Sequence, residues 1–451
     1  MGSYLYWRYR FALLLSCAAF CQPTQRSCAE RLYVASDVYA PQSDAPQSDA
    51  SSEPSGNVEQ VWQNAREACE QGDVGRALRL ATDVVMADPD HAEARRVLGY
   101  RRIGEQWAGS YAARRLERGE IWDPRFGWIA AADVPRYEAG QRPLGKRWIS
   151  AQEDARRHAT IDDGWRVRTD HFRVTTNHSR EAAAQLATRL EALYQVWQQL
   201  FGGFYLKSTD LLKRFDGKEV SGYRSKPFEV IYYRTRDEYN AALRRQQPRI
   251  AMTLGIYFDT TRQTHFFAPR PEKPEEQDPG TINHEAVHQF FHESNRAARN
   301  VGDDSNAWLI EGVACYFESL QQHRAPDGRR YFSIGTAAAG RLPAARHRRL
   351  VDDFYVPLAE LSALGIKQFQ ARSDLPRLYS QSAGLATFLM QHNGGEYRPA
   401  LVKTLQFLYA GRVQTSTLEG LTGRSFGELD RQYREYLESL PVAQNAAVPA
   451  R

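Results

Sequence analysis

The sequence predicts an α+β fold in which a mixed sheet and two buried helices are followed by a helical lobe and preceded by a small helical hairpin. Short stretches rich in β-branched and aromatic residues alternate with helical stretches between residues 163 and 267. Two apolar segments with helical spacing follow at residues 281–291 and 308–320, and residues 350–440 are mostly helical in pattern. Strands that precede a run of helices in this way are typical of α+β proteins.

The composition indicates a globular protein rather than a nucleic-acid binder. The 451 residues are enough for two or three domains with a sizeable core. The net charge of +5 is spread along the chain, without a basic stripe that has interleaved aromatic residues. Beyond residue 29 the cysteines are Cys69 and Cys315, which fall in different predicted domains. We therefore expect two buried free thiols and no second metal cluster.

Residues 1–29 have the pattern of a secretory signal peptide. Arg8 and Arg10 precede an apolar run at residues 11–20, which is too short to span a bilayer. Attachment of a lipid at Cys17 is an alternative use of this segment. Because no longer apolar run follows, the sequence predicts an exported protein, periplasmic or extracellular, without a membrane span.

Residues 30–57 are predicted to be a flexible linker. Within this stretch, residues 40–44 (APQSD) are repeated as residues 45–49. Such a composition cannot build a core. At the other end of the chain, residues 441–451 are predicted to be a disordered tail.

Residues 58–104 predict a tetratricopeptide-like helical hairpin. Small residues such as Ala65 and Ala68 would let two helices approach closely, and Pro89 would end the second helix. One hairpin is below the number of repeats that is stable alone, so it must pack on another part of the chain. A structural brace is the favoured role, and a dock for a protein partner through residues 58–100 is the alternative.

Residues 105–162 are predicted to be a Trp-rich connector. The sequence GEQW that begins at Gly104 recurs as GKRW at Gly145, and Trp122, Phe126 and Trp128 lie between them. Aromatic residues at this density usually pin a small domain with little regular structure, which we favour over a sugar-binding surface.

Residues 163–440 are predicted to form the main domain. The elements expected in its first half are strands at residues 171–176 and 228–233, a helix at residues 181–201, and a β-hairpin of residues 256–258 and 265–267.

Residues 281–291 contain the pattern His-Glu-x-x-His, formed by His284, Glu285 and His288. Positions i and i+4 of a helix lie one turn apart on the same face, so two neutral imidazoles can bind one Zn²⁺ there. Glu285 stays off the metal and can act as general base on a water molecule. The alternative is a surface helix, but the apolar residues around the pattern favour a packed helix, where a charged cluster needs a partner.

A tetrahedral catalytic site needs a third protein ligand. His292 lies one further turn along, and three ligands in a row on one straight helix would span about 12 Å, too far for one ion. We therefore expect His292 to lie next to the metal ligands without binding the metal, or to be solvated. Glu311 is the better candidate, because it projects from a second helix whose neighbouring residues are largely apolar.

The sequence HEAVHQFF followed by WLIEGVACYFE resembles the gluzincin zinc metallopeptidases of the peptidase MA-like superfamily, which share H-E-x-x-H-Q and W-L-x-E-G-x-A-x-Y-x-E. The resemblance implies a gluzincin-type metallopeptidase domain over about residues 163–440. It also implies that Zn²⁺ is bound by His284, His288 and Glu311, with Glu285 as the general base of peptide-bond hydrolysis.

The chain departs from this family in three ways. Thermolysin-like enzymes carry an acid four residues after the glutamate ligand, where this chain has Cys315. The connector between the two motif helices, residues 289–310, is longer than in the zinc aminopeptidases, and residues 293–306 are expected to be a surface loop. The aminopeptidase segment G-x-M-E-N is absent, so the resemblance does not extend to exopeptidase activity.

The resemblance implies two further parts of the site. Gluzincins place an edge strand beside the metal to pair with a peptide backbone, for which residues 255–259 are the candidate. They also bring a Tyr or His from the later helical region to the oxyanion. Tyr379, expected to open a helix that runs to residue 390, is the candidate, and Tyr331 and Tyr355 compete with it.

The function expected from the sequence is that of an exported zinc-dependent peptidase acting on peptides or proteins. The alternative is a non-catalytic peptide- or partner-binding protein that keeps zinc on a peptidase-like scaffold. All three ligand types and the general base are present, which favours the enzyme. A carbohydrate-binding wall protein is a weaker alternative that rests on the tryptophans alone.

Overall fold

A computed structural model describes residues 31–36, 38–39, 58–218, 226–273, 278–326 and 329–441. Within these residues helices predominate, and the strands form one five-stranded, one three-stranded and three two-stranded sheets. The predicted α+β class is confirmed at this level. The predicted signal peptide, with Cys17, and the predicted tail beyond residue 441 lie outside the described residues. In the described part of the chain, no helix has the length and apolar character needed to cross a membrane.

The chain mixes helices and strands as far as residue 333, and every later element is helical. The helices are α1 (Val58–Glu70), α2 (Val74–Ala87), α3 (Ala92–Val97), α4 (Ser110–Leu116), α5 (Val134–Glu138), α6 (Ala151–Arg157), α7 (Arg180–Tyr205), α8 (Ser208–Phe215), α9 (Arg236–Leu243), α10 (Pro279–Ser294), α11 (Ala307–Glu318), α12 (Leu342–Leu350), α13 (Leu358–Ala363), α14 (Ile366–Gln370), α15 (Leu375–Gln391), α16 (Arg398–Tyr409), α17 (Thr417–Thr422) and α18 (Phe426–Ser439). The strands are β1 (Leu32–Tyr33), β2 (Arg101–Ile103), β3 (Gln106–Ala108), β4 (Glu120–Asp123), β5 (Gly127–Ala130), β6 (Gln141–Leu144), β7 (Arg147–Ser150), β8 (Trp165–Arg168), β9 (Phe172–Thr176), β10 (Phe228–Tyr233), β11 (Ile256–Phe258), β12 (Gln263–Phe267), β13 (Gln321–Arg324) and β14 (Arg330–Ser333).

The flexible linker predicted at residues 30–57 is wrong over its first part. Strand β1 pairs antiparallel with β14 of the main domain. Residues 31–36 and 38–39 lie against the domain, and their buried apolar side chains are Leu32, Ala35 and Tyr39. These few apolar residues are enough to dock an otherwise polar stretch. The repeated sequence lies outside the described residues.

Hydrogen bonds with side chains of the main domain also hold this N-terminal segment. The backbone N–H of Ala35 donates to Oε1 of Gln195 on α7 over 2.9 Å. The hydroxyl of Tyr39 donates to Oδ2 of Asp170 over 2.9 Å. Both acceptors belong to the main domain, where Gln195 is buried and Asp170 half-buried, so the segment supplies partners for these polar groups.

The helical hairpin α1–α2 packs on the long helix α7 of the main domain. A Cβ at Gly75 of α2 would lie 2.8 Å from the backbone oxygen of Gln199, and a Cβ at Gly202 would lie 2.9 Å from Cδ1 of Leu78. Larger residues at these two glycines would force the helices apart, so α2 and α7 meet through small residues. The hairpin thus packs on another part of the chain instead of standing alone.

Three β-hairpins, each followed by a short helix, span the connector predicted at residues 105–162. The pairs are β2–β3, β4–β5 and β6–β7, followed by α4, α5 and α6, so the expectation of little regular structure is wrong. Gly104 and Gly145 each have φ of +60° in a two-residue turn, where a hairpin favours glycine. The repeated sequence therefore marks two of the hairpins. Trp122 and Trp128 are buried and do not offer a sugar-binding surface.

The five-stranded sheet of the main domain has the order β11-β12-β10-β9-β8. Strand β10 runs parallel to β9 and β12, whereas β8 and β11 are antiparallel to their neighbours. The sheet is therefore mixed, as predicted. Strand β11 lies at its edge, where residues 255–259 were expected to place one.

Helix α11 lies at the centre of the main domain, between α10 and α15. A Cβ at Gly312 would lie 2.7 Å from the backbone oxygen of Ser382, so glycine permits the close approach of α11 and α15. Helices are thus found at both motif segments and in the lobe that follows them. This packing brings residues from three helices to one place.

Candidate metal site

Helix α10 carries the His-Glu-x-x-His residues. It begins where the carboxylate of Asp278 accepts a hydrogen bond from the Gly280 N–H over 3.0 Å, with proline in the first turn. Its buried side carries Phe290 and Phe291, whose rings lie 5.7 and 5.4 Å from the Trp197 ring of α7. This aromatic packing fixes the rotation of the helix about its axis.

Three donor atoms from α10 and α11 converge. The Nε2 atoms of His284 and His288 are 3.0 Å apart. Oε2 of Glu311 lies 3.5 Å from the first and 3.7 Å from the second. Zinc bonds of 2.0–2.1 Å in a tetrahedral site would hold the ligand atoms about 3.3 Å apart. The three residues therefore form a group that could hold one metal ion with little rearrangement.

The group lies deep in the domain but reaches solvent. The side chains of His284 and His288 are 12% and 17% exposed, against 8% for Glu311. Burial alone would raise the pKa of Glu311, but its hydrogen bonds with the two histidines hold that pKa far below its ordinary value. Glu311 is therefore an anion, the state in which a carboxylate binds a metal.

Glu318 fixes the orientation and tautomer of His284. Its Oε1 lies 2.9 Å from Nδ1 of His284, and Arg341 donates to both oxygens of Glu318 over 2.7 and 3.0 Å. Although burial raises the pKa of Glu318, the bonds from His284 and Arg341 lower it to about 2. An anionic acceptor keeps the proton on Nδ1 and leaves the Nε2 lone pair for a metal.

Cys315 lies four residues after Glu311, where thermolysin-like enzymes carry an acid, and its thiol does not replace such an acid. Burial raises its pKa to about 11, so the thiol is protonated at neutral pH. Sγ lies 3.9 Å from Nδ1 of His284. His284, Cys315 and Glu318 form a second group with atoms at metal-ligand spacing. Since Nδ1 of His284 already bonds Glu318, we assign this group to the support of the first. As expected, Cys69 and Cys315 are both buried free thiols.

The side chain of Glu285 lies against the edge strand β11. Its Oε2 accepts a hydrogen bond from the backbone N–H of Tyr257 on β11 over 2.9 Å. A Cβ at Gly255 would lie 3.2 Å from Cγ of Glu285, so the strand approaches the side chain closely. The predicted base and the predicted edge strand are therefore in direct contact.

Among the three candidate tyrosines, Tyr379 lies near the converging carboxylates. Burial, and then the negative charges of Glu311 and Glu285, raise its pKa far above the ordinary value, so its phenol remains a hydrogen-bond donor. The competitors have structural roles elsewhere. The Tyr355 hydroxyl donates to Asp430, and Tyr331 packs on Tyr33. Tyr379 does not open its helix, because α15 begins at Leu375, where proline suits the first turn.

His292 is not part of the converging group, as expected. Its Nδ1 lies 3.1 Å from the hydroxyl of Tyr257, and its Nε2 lies 4.0 Å from Asp259. It therefore adjoins the edge strand. The loop predicted at residues 293–306 begins slightly later, because α10 continues to Ser294.

The sequence interpretation missed two supporting residues, Glu318 and Arg341. Glu318 lies seven residues after Glu311 on α11, two turns along the same face, so its spacing could have indicated a role at the site. Arg341 follows in the chain after two strands, and no local pattern connects it with the motif. Tyr409 of α16 was also missed. It is buried, and Glu311 contributes to the rise of its pKa after burial itself.

Two family models match parts of the chain. A model described as a protein of unknown function, DUF1570, matches residues 278–408. This range begins at the residue that caps α10 and includes every residue of the converging group together with Tyr379. A model described as alkyl sulfatase dimerisation matches residues 38–116, from the N-terminal segment to the end of α4. A search of curated proteins gave no match.

Proposed function

We propose that the protein is a zinc-dependent peptidase of gluzincin type that acts after export from the cytoplasm. The observation that carries this proposal is the convergence of His284, His288 and Glu311 with Glu285 held just outside the group. A structural zinc site closes its fourth position with a protein ligand, whereas a catalytic site leaves it open. Here three ligands face a partly exposed space, which favours catalysis.

The residues around the group suit peptide-bond hydrolysis. Zinc, when bound, supplies a Lewis acid that lowers the pKa of water to about 7 and polarises a carbonyl. In the proposed reaction Glu285 takes a proton from the attacking water and passes it to the leaving amine. The phenol of Tyr379 can donate a hydrogen bond to the oxygen on which charge develops. Strand β11, at the sheet edge, can pair with an extended peptide.

The test compares zinc content and peptide hydrolysis in Glu285→Gln and Glu311→Gln. Glu285→Gln keeps all three ligands, so we expect about one zinc per chain and hydrolysis reduced by roughly 10² to 10⁴, the usual worth of a general base. Glu311→Gln replaces an anionic ligand with a poor neutral one. We therefore expect zinc content and activity to fall together, with partial rescue by added zinc.

The control is Glu105→Gln, a change at an exposed turn residue, which should leave zinc content and hydrolysis as in the wild type. Zinc content is measured by mass spectrometry of the metal, and hydrolysis by digestion of a peptide library. A wild-type chain that takes up no zinc would overturn the proposal. A chain that holds zinc but cleaves no peptide would favour the alternative, a zinc-retaining binding protein.

A further inference from the structure

A large cavity lies between the helical hairpin and the helical lobe. Its volume is about 1120 Å³, and its walls come from the start of α2, the end of α7, the start of α8 and the length of α16. This volume suits a ligand well above the size of a single inorganic ion. His284, His288 and Glu311 do not line it. The cavity is thus distinct from the candidate metal site.

The lining of this cavity is strongly basic. Asp73 is the only acid among the described residues that line it, and its carboxylate caps α2 by accepting from the Arg76 N–H over 3.0 Å. The seven basic side chains of the lining are Arg76, Arg79, Lys207, Arg296, Arg398, Lys403 and Arg412. They come from both the hairpin and the main domain, so the charge is concentrated only when the two are packed together.

Most of these basic groups lack acidic partners. In the described parts of the chain, Arg76, Lys207 and Arg296 take part in no ion pair. Lys403 and Arg412 also form no ion pair among the described residues, and their charged groups lie 5.4 and 5.7 Å from the centre of the Phe407 ring. Elsewhere on the surface, arginines commonly pair with a carboxylate three or four residues away. The cavity therefore holds an uncompensated positive charge that an anionic ligand would balance.

The N-terminal residues of three helices line the same cavity. Gln71 to Arg76 surround the start of α2, Lys207 to Thr209 the start of α8, and Arg398 and Pro399 the start of α16. At α8 no side chain caps the first N–H groups, whereas at α16 the Arg398 N–H donates to the Gly395 carbonyl and Pro399 has no N–H. Free N–H groups and the helix dipole both favour an anion. This backbone contribution is independent of the basic side chains and has the same sign.

We propose that this cavity binds a compact ligand that carries several phosphate or sulfate groups. Arginine forks and helix N–H groups both suit tetrahedral oxyanions. The volume and the number of cations require several such groups on one molecule. An acidic peptide is less suitable, because the walls are helical and offer no strand edge with which an extended backbone could pair. The proposal does not depend on zinc or on peptidase activity.

The test is a calorimetric titration of the full chain with sucrose octasulfate and, separately, with inositol hexakisphosphate. The triple variant Arg76→Glu, Lys207→Glu, Lys403→Glu changes three exposed cations of the cavity. We expect at least one of the two probes to bind the wild type. That probe should bind the triple variant roughly 100-fold more weakly, since each exposed ion pair that is lost should weaken binding about fivefold. Affinity should also fall as the salt concentration rises.

The matched control is Arg244→Glu, Arg245→Glu, Arg249→Glu, which removes the same charge from exposed positions that do not line the cavity. It should bind the probe as the wild type does. Equal loss in both triple variants would show a general basic surface and overturn the proposal, as would failure of both probes to bind. Preferential binding of an oligoglutamate peptide of matched charge would overturn the assigned ligand class. Tighter binding of one probe than of the other would show whether the cavity prefers sulfate or phosphate groups, and it would support the proposal.

Discussion

Tyr379 differs from the candidates Tyr331 and Tyr355 in lying near the carboxylates of the candidate site. Its neighbours include Glu311 and Glu285, and the guanidinium of Arg341 lies 5.4 Å from its ring centre. Tyr379→Phe removes only the hydroxyl, so zinc should stay bound. If the phenol stabilises the oxyanion, kcat should fall by roughly 10², the usual worth of one such donor.

The matched control for this prediction is Tyr331→Phe. Tyr331 was an alternative candidate for the oxyanion donor, and it packs in the three-stranded sheet. It should retain full activity. Steady-state kinetics on one peptide would separate the two variants. An unchanged kcat in Tyr379→Phe would leave that residue with a structural role only.

Glu318 acts on the metal group through His284. Glu318→Gln keeps an acceptor for the Nδ1 proton but loses the negative charge and the ion pair with Arg341. Zinc affinity should therefore fall by about 10- to 100-fold, the usual effect of removing a partner of a ligand. Competition with a zinc-binding dye measures this change, with Glu105→Gln as the control. Wild-type affinity in Glu318→Gln would refute the positioning role.

At the residue scale, the converging group could be predicted because its chemistry imposes a spacing. Two histidines must be four residues apart on one helix, and the acid must come from a neighbouring buried helix. Arg341 could not be predicted in this way, since packing alone brings α12 to the site. Packing of α16 likewise brings Tyr409 near enough to Glu311 for that charge to raise the Tyr409 pKa, after burial itself.

At the scale of elements, Gly255, the residue before strand β11, leaves room for Glu285 because it has no side chain. A Cβ there would lie 2.9 Å from Phe266 and 3.2 Å from Glu285. Gly255→Ala should therefore displace the base while leaving the metal ligands in place. We expect normal zinc content and hydrolysis reduced by roughly 10², because small misplacements of a catalytic group are costly.

The control for the strand is Gly420→Ala in α17, where an added Cβ meets nothing within 4 Å. It should keep full activity and gain a little stability, since alanine favours a helix over glycine. Activity in Gly255→Ala equal to that of Gly420→Ala would show that Glu285 tolerates the displacement.

Long elements with a clear period were predictable, and short ones were not. The pattern at residues 228–233 gave β10 with its observed bounds. The three connector hairpins escaped prediction because each strand has only three or four residues, too few to show a period of two. Their turn glycines, Gly104 and Gly145, were the usable signal.

At the scale of the whole molecule, composition misjudged the N-terminal segment. A polar, repeat-containing stretch reads as a linker, yet Leu32, Ala35 and Tyr39 dock its first part on the main domain. Docking depends on a surface formed far away in the sequence, by β14, α7 and the residues before β9. No local pattern in the segment could reveal that surface.

The docked segment makes a stability prediction that a flexible linker does not. Tyr39 is 5% exposed, and its ring packs edge-on against Trp122, with centres 4.9 Å apart. Tyr39→Ala should lower the free energy of unfolding by roughly 3 to 5 kcal/mol, as for other large aromatic residues removed from a core. Tyr39→Phe keeps the ring but removes the hydrogen bond to half-buried Asp170, so it should lower the free energy of unfolding by roughly 1 to 3 kcal/mol.

Urea denaturation followed by tryptophan fluorescence would measure both changes, with Ser51→Ala as the control within the same predicted linker. The order of the losses matters more than their sizes. If the segment is packed, Tyr39→Ala must lower the free energy of unfolding more than Tyr39→Phe, and Tyr39→Phe more than Ser51→Ala. If all three variants have the same free energy of unfolding as the wild type, the docked N-terminal segment contributes nothing to stability. The linker predicted from composition would then be right over its whole length.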